Sequence, residues 1–402
     1  APDSRAEPPA ELLARLAVDP ADPEALIGLA DRHEAAGRHR HARRYLRAFV
    51  RLVYRHPRRP EAITRLAALR PAIPWFVESD EREEGGFLVY RNAIDGLPAV
   101  RVPAGPYRRR LEVDEASIVF DVEMPDYLID LHETPRSVLQ AFLWDGGFEA
   151  PAYWSRDGLA WMEARAAEVP HWFPLQGGPL DPSLPMWGLN YYGARAMARW
   201  AGKRIPTEAE WEKAARGGIH LDGADEYRPN PRPERRYPWG DEPVIGPDGS
   251  YRANLDCVVP ARGDDSDARS IPVDSLPEGA SPYGCLHMAG NVTEWNRDRW
   301  IEDDERFRLP RKAPYASETS RKEDTARAVR GGYFKEGEND GAIDARKART
   351  FACAEMCWLF KAGLRSAADA PALEAEPDVW PLEDEPDPLD AERLYETAVA
   401  AE

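Results

Sequence analysis

Two cysteines four residues apart, Cys353 and Cys357, are the chain's best-spaced pair of soft, reactive groups. On a helix that spacing places both thiols on one face, where they would bind a soft metal or undergo redox exchange. Their neighbours Phe351, Ala352, Met356, Trp358, Leu359 and Phe360 are apolar, which equally suits two inert core cysteines. Cys257 and Cys285 stand alone and read as structural. Hard oxygen donors cluster in Asp264-Asp265-Ser266-Asp267, a run apt for a divalent cation or for a solvated acidic turn. Imidazoles gather near the start of the chain, at His33, His39, His41 and His56. Of these, His39-Arg40-His41 falls where a turn between helices is expected and reads as solvated rather than metal-binding.

The elements that must position these groups change along the chain. An apolar stripe opens at Pro23-Glu24-Ala25-Leu26, runs through Leu29, Ala30 and His33, and stops at Gly37. A second runs through Ala42, Tyr45, Leu46, Phe49 and Leu52 to Pro57, and a third starts at Pro60-Glu61-Ala62-Ile63. The two Pro-Glu-Ala starts lie 37 residues apart, close to the period of about 34 residues in tetratricopeptide repeats. Residues 1–75 are therefore expected to be helical, either as a repeat-like interaction segment or as an ordinary helical hairpin. Beyond Trp75 the pattern turns to short alternating runs, Phe87-Leu88-Val89-Tyr90 and Ala99-Val100-Arg101-Val102-Pro103, which read as strands. Helices are expected over Pro135 to Trp144 and from Tyr191 to Gly202. A third starts at Thr207-Glu208-Ala209-Glu210, a capping box, and stops at Gly217. Most of the rest to residue 368 is loop rich in Gly, Pro and Asp, and residues 369–402 form an acidic, Pro-rich tail.

Charge narrows the partners. The 402 residues carry 53 basic and 71 acidic side chains, a formal net charge of −18. It is unevenly spread, with +5 on residues 1–75 and −11 on residues 367–402. An acidic body does not attract phosphate backbones, so nucleic acid is not an expected partner. No apolar run approaches the roughly 20 residues of a membrane span, so no membrane partner is expected either. Four cysteines in this length make no disulfide framework, and a reducing cytoplasm is the expected compartment. A chain beginning at Ala1 leaves open a leader already removed.

A series of motifs from about residue 96 to 368 resembles the formylglycine-generating enzyme (sulfatase-modifying factor) family. They are Val102-Pro103-Ala104-Gly105-Pro106, Asp126-Tyr127-Leu128-Ile129-Asp130 with His132-Glu133-Thr134, and the unbroken stretch from Ala198 to Glu212. Tyr237-Pro238-Trp239-Gly240-Asp241, Ala253-Asn254, Pro272-Val273 and Met288-Ala289-Gly290-Asn291-Val292-Thr293-Glu294-Trp295 follow, and Arg330-Gly331-Gly332-Tyr333 and Gly363-Leu364-Arg365 close the set. The resemblance implies an α+β, C-type-lectin-like domain over residues 76–368, rich in irregular loops and preceded by the small all-α segment.

The resemblance also implies calcium as a structural cofactor. One site would use Asn254, the Leu255 carbonyl, Asp265 and the Asp267 carbonyl. A second would use Gly290, Val292 and Glu294, but the family usually has Asn where this chain has His287. For catalysis the family needs two cysteines shortly after Arg-Gly-Gly, where thiolates hold Cu(I). Counted from Gly332, those positions are Glu336 and Gly341, and neither is Cys. A second branch, the ergothioneine-type sulfoxide synthases, adds an iron site of three histidines built on His-x-x-x-His-x-Glu, which the front segment lacks. Copper and iron are therefore not expected.

The expected function is binding without formylglycine chemistry. Residues 1–75 would recruit a protein partner, and the family-like domain would take a peptide or small ligand through Tyr333, Glu336, Asn339, Arg349 and Trp358. The alternative is a copper- or iron-dependent oxidase or oxygenase acting on a thiol-containing or peptide substrate, with Cys353 and Cys357 as catalytic candidates.

Overall fold

The protein was described from a computed structural model. The structure describes residues 9–69, 76–82, 86–113, 116–164, 181–222, 228–255, 270–299, 327–335, 341–343, 347–349 and 362–370. The chain divides into two compact units, one built on Ala1–Ala72 with Gln140–Tyr153, the other on Ile73–Leu139 with Trp154–Pro371.

The first unit is helical, with α1 (Pro9–Val18), α2 (Pro23–Ala35), α3 (His39–Leu52) and α4 (Arg59–Ala68). Asp22 caps α2 by accepting from the backbone N–H groups of Glu24 and Ala25, and it is paired with Arg15 at 2.7 Å. The apolar stripes read from the sequence do face inward, burying Leu26, Leu29, Tyr45, Leu46, Phe49, Ile63 and Leu66. His39 is exposed, but His41 is buried, its ring stacked on His33 at 4.9 Å, and Tyr45 stacks on His33 from α3. The turn expected there is the first turn of α3.

Gln140–Tyr153 completes this unit although it lies far along the chain. It holds the end of α5 (Arg136–Trp144) and a short 3₁₀ turn at Pro151–Tyr153. Its Asp145 is fully buried between Arg47 and Arg51, one turn apart on α3, with N–O distances of 2.9 and 2.5 Å. Gly146 follows with φ +73°, and a Cβ there would stand 2.8 Å from Ile63. Only glycine satisfies both the turn and the close approach.

The second unit is mixed helix and sheet. Strands β1 (Phe76–Arg82), β2 (Leu88–Asn92), β3 (Pro98–Val102), β6 (Tyr127–Asp130) and β11 (Ala367–Asp369) form a five-stranded antiparallel sheet in the order β1-β2-β3-β6-β11. A hairpin, β4 (Gly105–Val113) with β5 (Ala116–Met124), stands apart from it. A four-stranded sheet has the order β10-β7-β8-β9, from β7 (Thr293–Arg299), β8 (Arg327–Arg330), β9 (Lys347–Arg349) and β10 (Ala362–Gly363). Helices α6 (Arg156–Ala164), α7 (Tyr191–Trp200) and α8 (Glu208–Arg216) complete it. The capping box is present, with Thr207 accepting from the Glu210 N–H and the Glu210 carboxylate accepting from the Thr207 N–H. The core gathers Val89, Val100, Val102, Tyr127 and Ile129 of the five-stranded sheet around Trp211, Ala214 and Ala215 of α8.

Candidate functional site

Helix α8 is the structural centre of the site. Its sequence reads as a charged, half-solvated helix, yet every residue from Glu208 to Arg216 is buried. Burying charge is costly unless each group finds a partner; here Glu208, Glu210, Glu212 and Arg216 are ion-paired and Lys213 donates to carbonyls. Arg330, at the end of β8, donates to Glu208 at 3.0 Å and to Glu212 at 2.9 Å. Glu212 also lies within 3.5 Å of Arg109 on β4 and Arg216 on α8. Burial alone would raise the Glu212 carboxyl; Arg109, Arg330 and Arg216 together hold it below its ordinary value. Lys213 has carbonyl partners, Pro103 and Gly105, and burial pushes its ammonium down to about 8.

Beside this helix the loop His287–Thr293 is pinned by side chains. Gly290 has φ +80°, and a Cβ there would lie 2.3 Å from the Asn254 carbonyl, so the backbone approach requires glycine. Asn291, also left-handed at φ +59°, donates through Nδ2 to Glu133 at 2.6 Å. Its Oδ1 accepts from the side chain of Asn254 and the backbone of Ile271. Glu133 accepts in addition from the Val292 N–H at 3.0 Å. Burial, with the nearby Glu294 charge, raises the Glu133 carboxyl well above its ordinary value.

Glu294 lies at the start of β7, fully buried. Arg365 donates to it through Nε at 3.0 and 2.9 Å and through Nη2 at 2.7 Å, and Trp211 Nε1 donates at 2.6 Å. Arg365 spends its other N–H groups on the carbonyls of Asp130 and Leu286, at 3.0 and 2.6 Å. His287 is left-handed at φ +54°, with Nε2 3.2 Å from the Pro272 carbonyl and 3.3 Å from Ser275 Oγ. Burial, together with the Arg365 charge, pushes its imidazole down to about 3, so it is neutral at ordinary pH.

These positions permit a direct test of the calcium sites that the sequence suggests. In the first set, Asn254 and Leu255 are buried next to Gly290, while Asp265 and Asp267 lie outside the described residues. In the second, Gly290, Val292 and Glu294 are brought together, but the carboxylate of this set is already bound by an arginine and an indole N–H. A hard cation needs several free oxygen ligands, so this donor set does not fit calcium. Among the described residues no group of three or more His, Cys, Asp or Glu is arranged to hold a metal ion.

Of the expected ligand-binding residues, Tyr333 is half-buried after the Gly331-Gly332 turn, its ring edge-on to Phe334 at 5.6 Å. Arg349 ends β9, in register with Arg327 of β8. Glu336, Asn339, Trp358, Cys353 and Cys357 lie outside the described residues. Gly341, where the count from Gly332 places the family's second cysteine, is buried. A Cβ there would stand 2.9 Å from Leu255 Cδ1. Arg365 and Trp211 belong to the motifs read from the sequence, and their bonds to Glu294 emerge only from the structure. The available signal was the rule that a buried acid in an apolar motif demands a partner, and Arg365 was the basic residue of the closing motif.

The model of the sulfatase-modifying factor enzyme 1-like domain matches residues 91–370. The chain belongs to this family. The formylglycine-generating enzyme of Thermomonospora curvata is 33% identical over 269 residues, which span 58% of this chain and 82% of that protein. The mouse formylglycine-generating enzyme is 28% identical, with 60% of each chain covered. The hercynine oxygenase of Mycolicibacterium smegmatis is 29% identical over 212 residues, 49% of this chain and 44% of that enzyme. The chain thus spans well under two thirds of the mouse enzyme and of the oxygenase. Among the described residues, no helix of this family member is long and apolar enough to cross a membrane.

Proposed function

We propose that this family member does not generate formylglycine and acts instead as a cytoplasmic binding module. The family-like unit takes a peptide or small ligand through the surface that includes Tyr333 and Arg349, and the helical front recruits a protein partner. The observation that carries this reading is the residue pair at the two positions where the family's copper chemistry requires thiolates. They are Glu336 and Gly341, and the second is packed against Leu255 without space for a side chain unless Leu255 moves. Support for the front segment comes from its repeat-like starts, since Pro23 and Pro60 open α2 and α4. Calcium held by Asn254, Leu255, Asp265 and Asp267 belongs to the same reading, as a structural ion.

A second reading draws on the names of the relatives, which are oxidising enzymes of two kinds. In it, Cys353 and Cys357 hold copper, or histidines hold iron, for an oxidation of a thiol-containing substrate. One experiment separates the two. Purified protein is incubated aerobically with copper and a cysteine-containing peptide, then probed for aldehyde with a hydroxylamine reagent and for bound metal by mass spectrometry. The binding reading expects no aldehyde and substoichiometric copper and iron. Stoichiometric copper lost on Cys353→Ala, or iron lost on histidine replacement, overturns it.

A further inference from the structure

We propose that the second structural calcium site is not formed in this chain, because His287 stands where the family has Asn and the Glu294 carboxylate is held by Arg365 and Trp211. The argument is independent of the proposed function and rests on the ligands that Arg365 gathers. A calcium ion in a loop-rich domain draws together carboxylate and backbone carbonyl oxygens from separate segments. The Arg365 guanidinium does the same with N–H groups: it holds the Glu294 carboxylate on β7, the Asp130 carbonyl on β6 and the Leu286 carbonyl in the adjoining loop. It is fully buried and supplies the positive charge that a buried carboxylate requires.

The remaining space for an ion is closed from two sides. With Trp211 Nε1 on Oε2, the two oxygens of Glu294 accept from three N–H groups, Arg365 Nε–H being shared between them, so most of the carboxylate's acceptor capacity is taken. At the position where a neutral oxygen ligand would stand, His287 turns its Nε2 toward the Pro272 carbonyl and Ser275 Oγ, two oxygens that it can serve as a donor. Neighbouring Glu133 is no substitute, because its oxygens accept from Asn291 and Val292.

The test counts ions on the intact chain by native mass spectrometry in excess calcium, followed by thermal melts with calcium and with a chelator. The wild-type chain should hold at most one calcium, and the double variant Asp265→Asn with Asp267→Asn should hold none while staying folded. Glu294→Gln should lower the melting temperature by several degrees in calcium and in chelator alike, without changing the ion count. A calcium that persists in the Asp265/Asp267 variant, or one that Glu294→Gln removes, overturns the proposal. Terbium is a second readout that needs no stable Glu294 variant. In the Asp265/Asp267 double variant, an ion beside Trp211 and Trp295 would give tryptophan-sensitised luminescence, and the proposal expects none.

Discussion

Asp145→Asn tests whether the helical front ends where its own sequence ends. Asp145 is fully buried, and its partners Arg47 and Arg51 are 21% and 17% exposed at their side chains. Removing one member of a buried ion pair costs about 3–5 kcal/mol, because the partner is left unpaired. The arginine heads here keep some access to water and can partly rehydrate, which brings the expected cost to about 2–3 kcal/mol. Urea denaturation followed by far-ultraviolet circular dichroism would report it. A double-mutant cycle with Arg51→Gln should return a coupling of at least about 1 kcal/mol. A loss below about 0.5 kcal/mol, with no coupling, would refute the argument that this ion pair anchors Gln140–Tyr153 to α3. The same geometry bears on truncation. Deleting residues 1–75 spares every position matched by the family model but removes the partners of Asp145 and Glu149 and the helix packed on the Pro151–Tyr153 turn. Limited proteolysis of such a fragment should cut first within residues 140–153.

Lys203 is buried between Asp95 at 2.8 Å and Asp130 at 2.6 Å, so Lys203→Met leaves two buried carboxylates without a cation and should cost about 3–5 kcal/mol by chemical denaturation. Adding Asp130→Asn should recover part of that loss, because burial and the Asp95 charge already push the Asp130 carboxyl up to about 6. Burial pushes the His132 imidazole down to about 4, whereas an unfolded imidazole titrates near 6.5. Between those values the unfolded chain binds a proton that the folded chain does not. Stability should therefore fall by about 1.4 kcal/mol per pH unit on acidification through that window, and His132→Gln should flatten the slope by that amount. Thr207→Ala removes one half of the capping box of α8 and should cost about 1 kcal/mol in thermal melts, with little change in the folded spectrum.

Elements set by local chemistry were legible in the sequence. Periodic stripes ended by Gly37 and Pro57 marked α2 and α3, and Thr207 with Glu210 marked the start of α8 within one residue. The hairpin β4–β5 was not read: Ile118, Phe120, Val122 and Met124 alternate along β5, but the run Arg108-Arg109-Arg110 interrupts the apolar pattern of its partner β4. The placement of Gln140–Tyr153 was invisible for a different reason: Asp145 finds its partners nearly a hundred residues away, and no local pattern encodes that. At the candidate site, the resemblance places Asn254 in one set and Gly290, Val292 and Glu294 in another, whereas the structure bridges Asn254 to Gly290. What the residue types could not reveal was that Glu294 is already bound. A carboxylate followed by a tryptophan reads the same whether its counter-ion is calcium or a guanidinium 71 positions downstream.

The buried charges explain how a unit with so little regular structure keeps its loops in place. Apolar contacts are non-directional and would let the Met288–Trp295 loop slide over α8. Hydrogen-bonded ion pairs have fixed geometry, and misplacing one leaves a buried charge exposed to an apolar interior. Each pair here joins segments distant in sequence: Glu294 to Arg365, Glu208 and Glu212 to Arg330, Asp130 to Lys203. The positions are thus specified by registry rather than by bulk burial. A substitution at half-buried Tyr333 should have little effect on stability, whereas a change of sign at Glu294, Arg330 or Arg365 should unfold the unit in thermal melts.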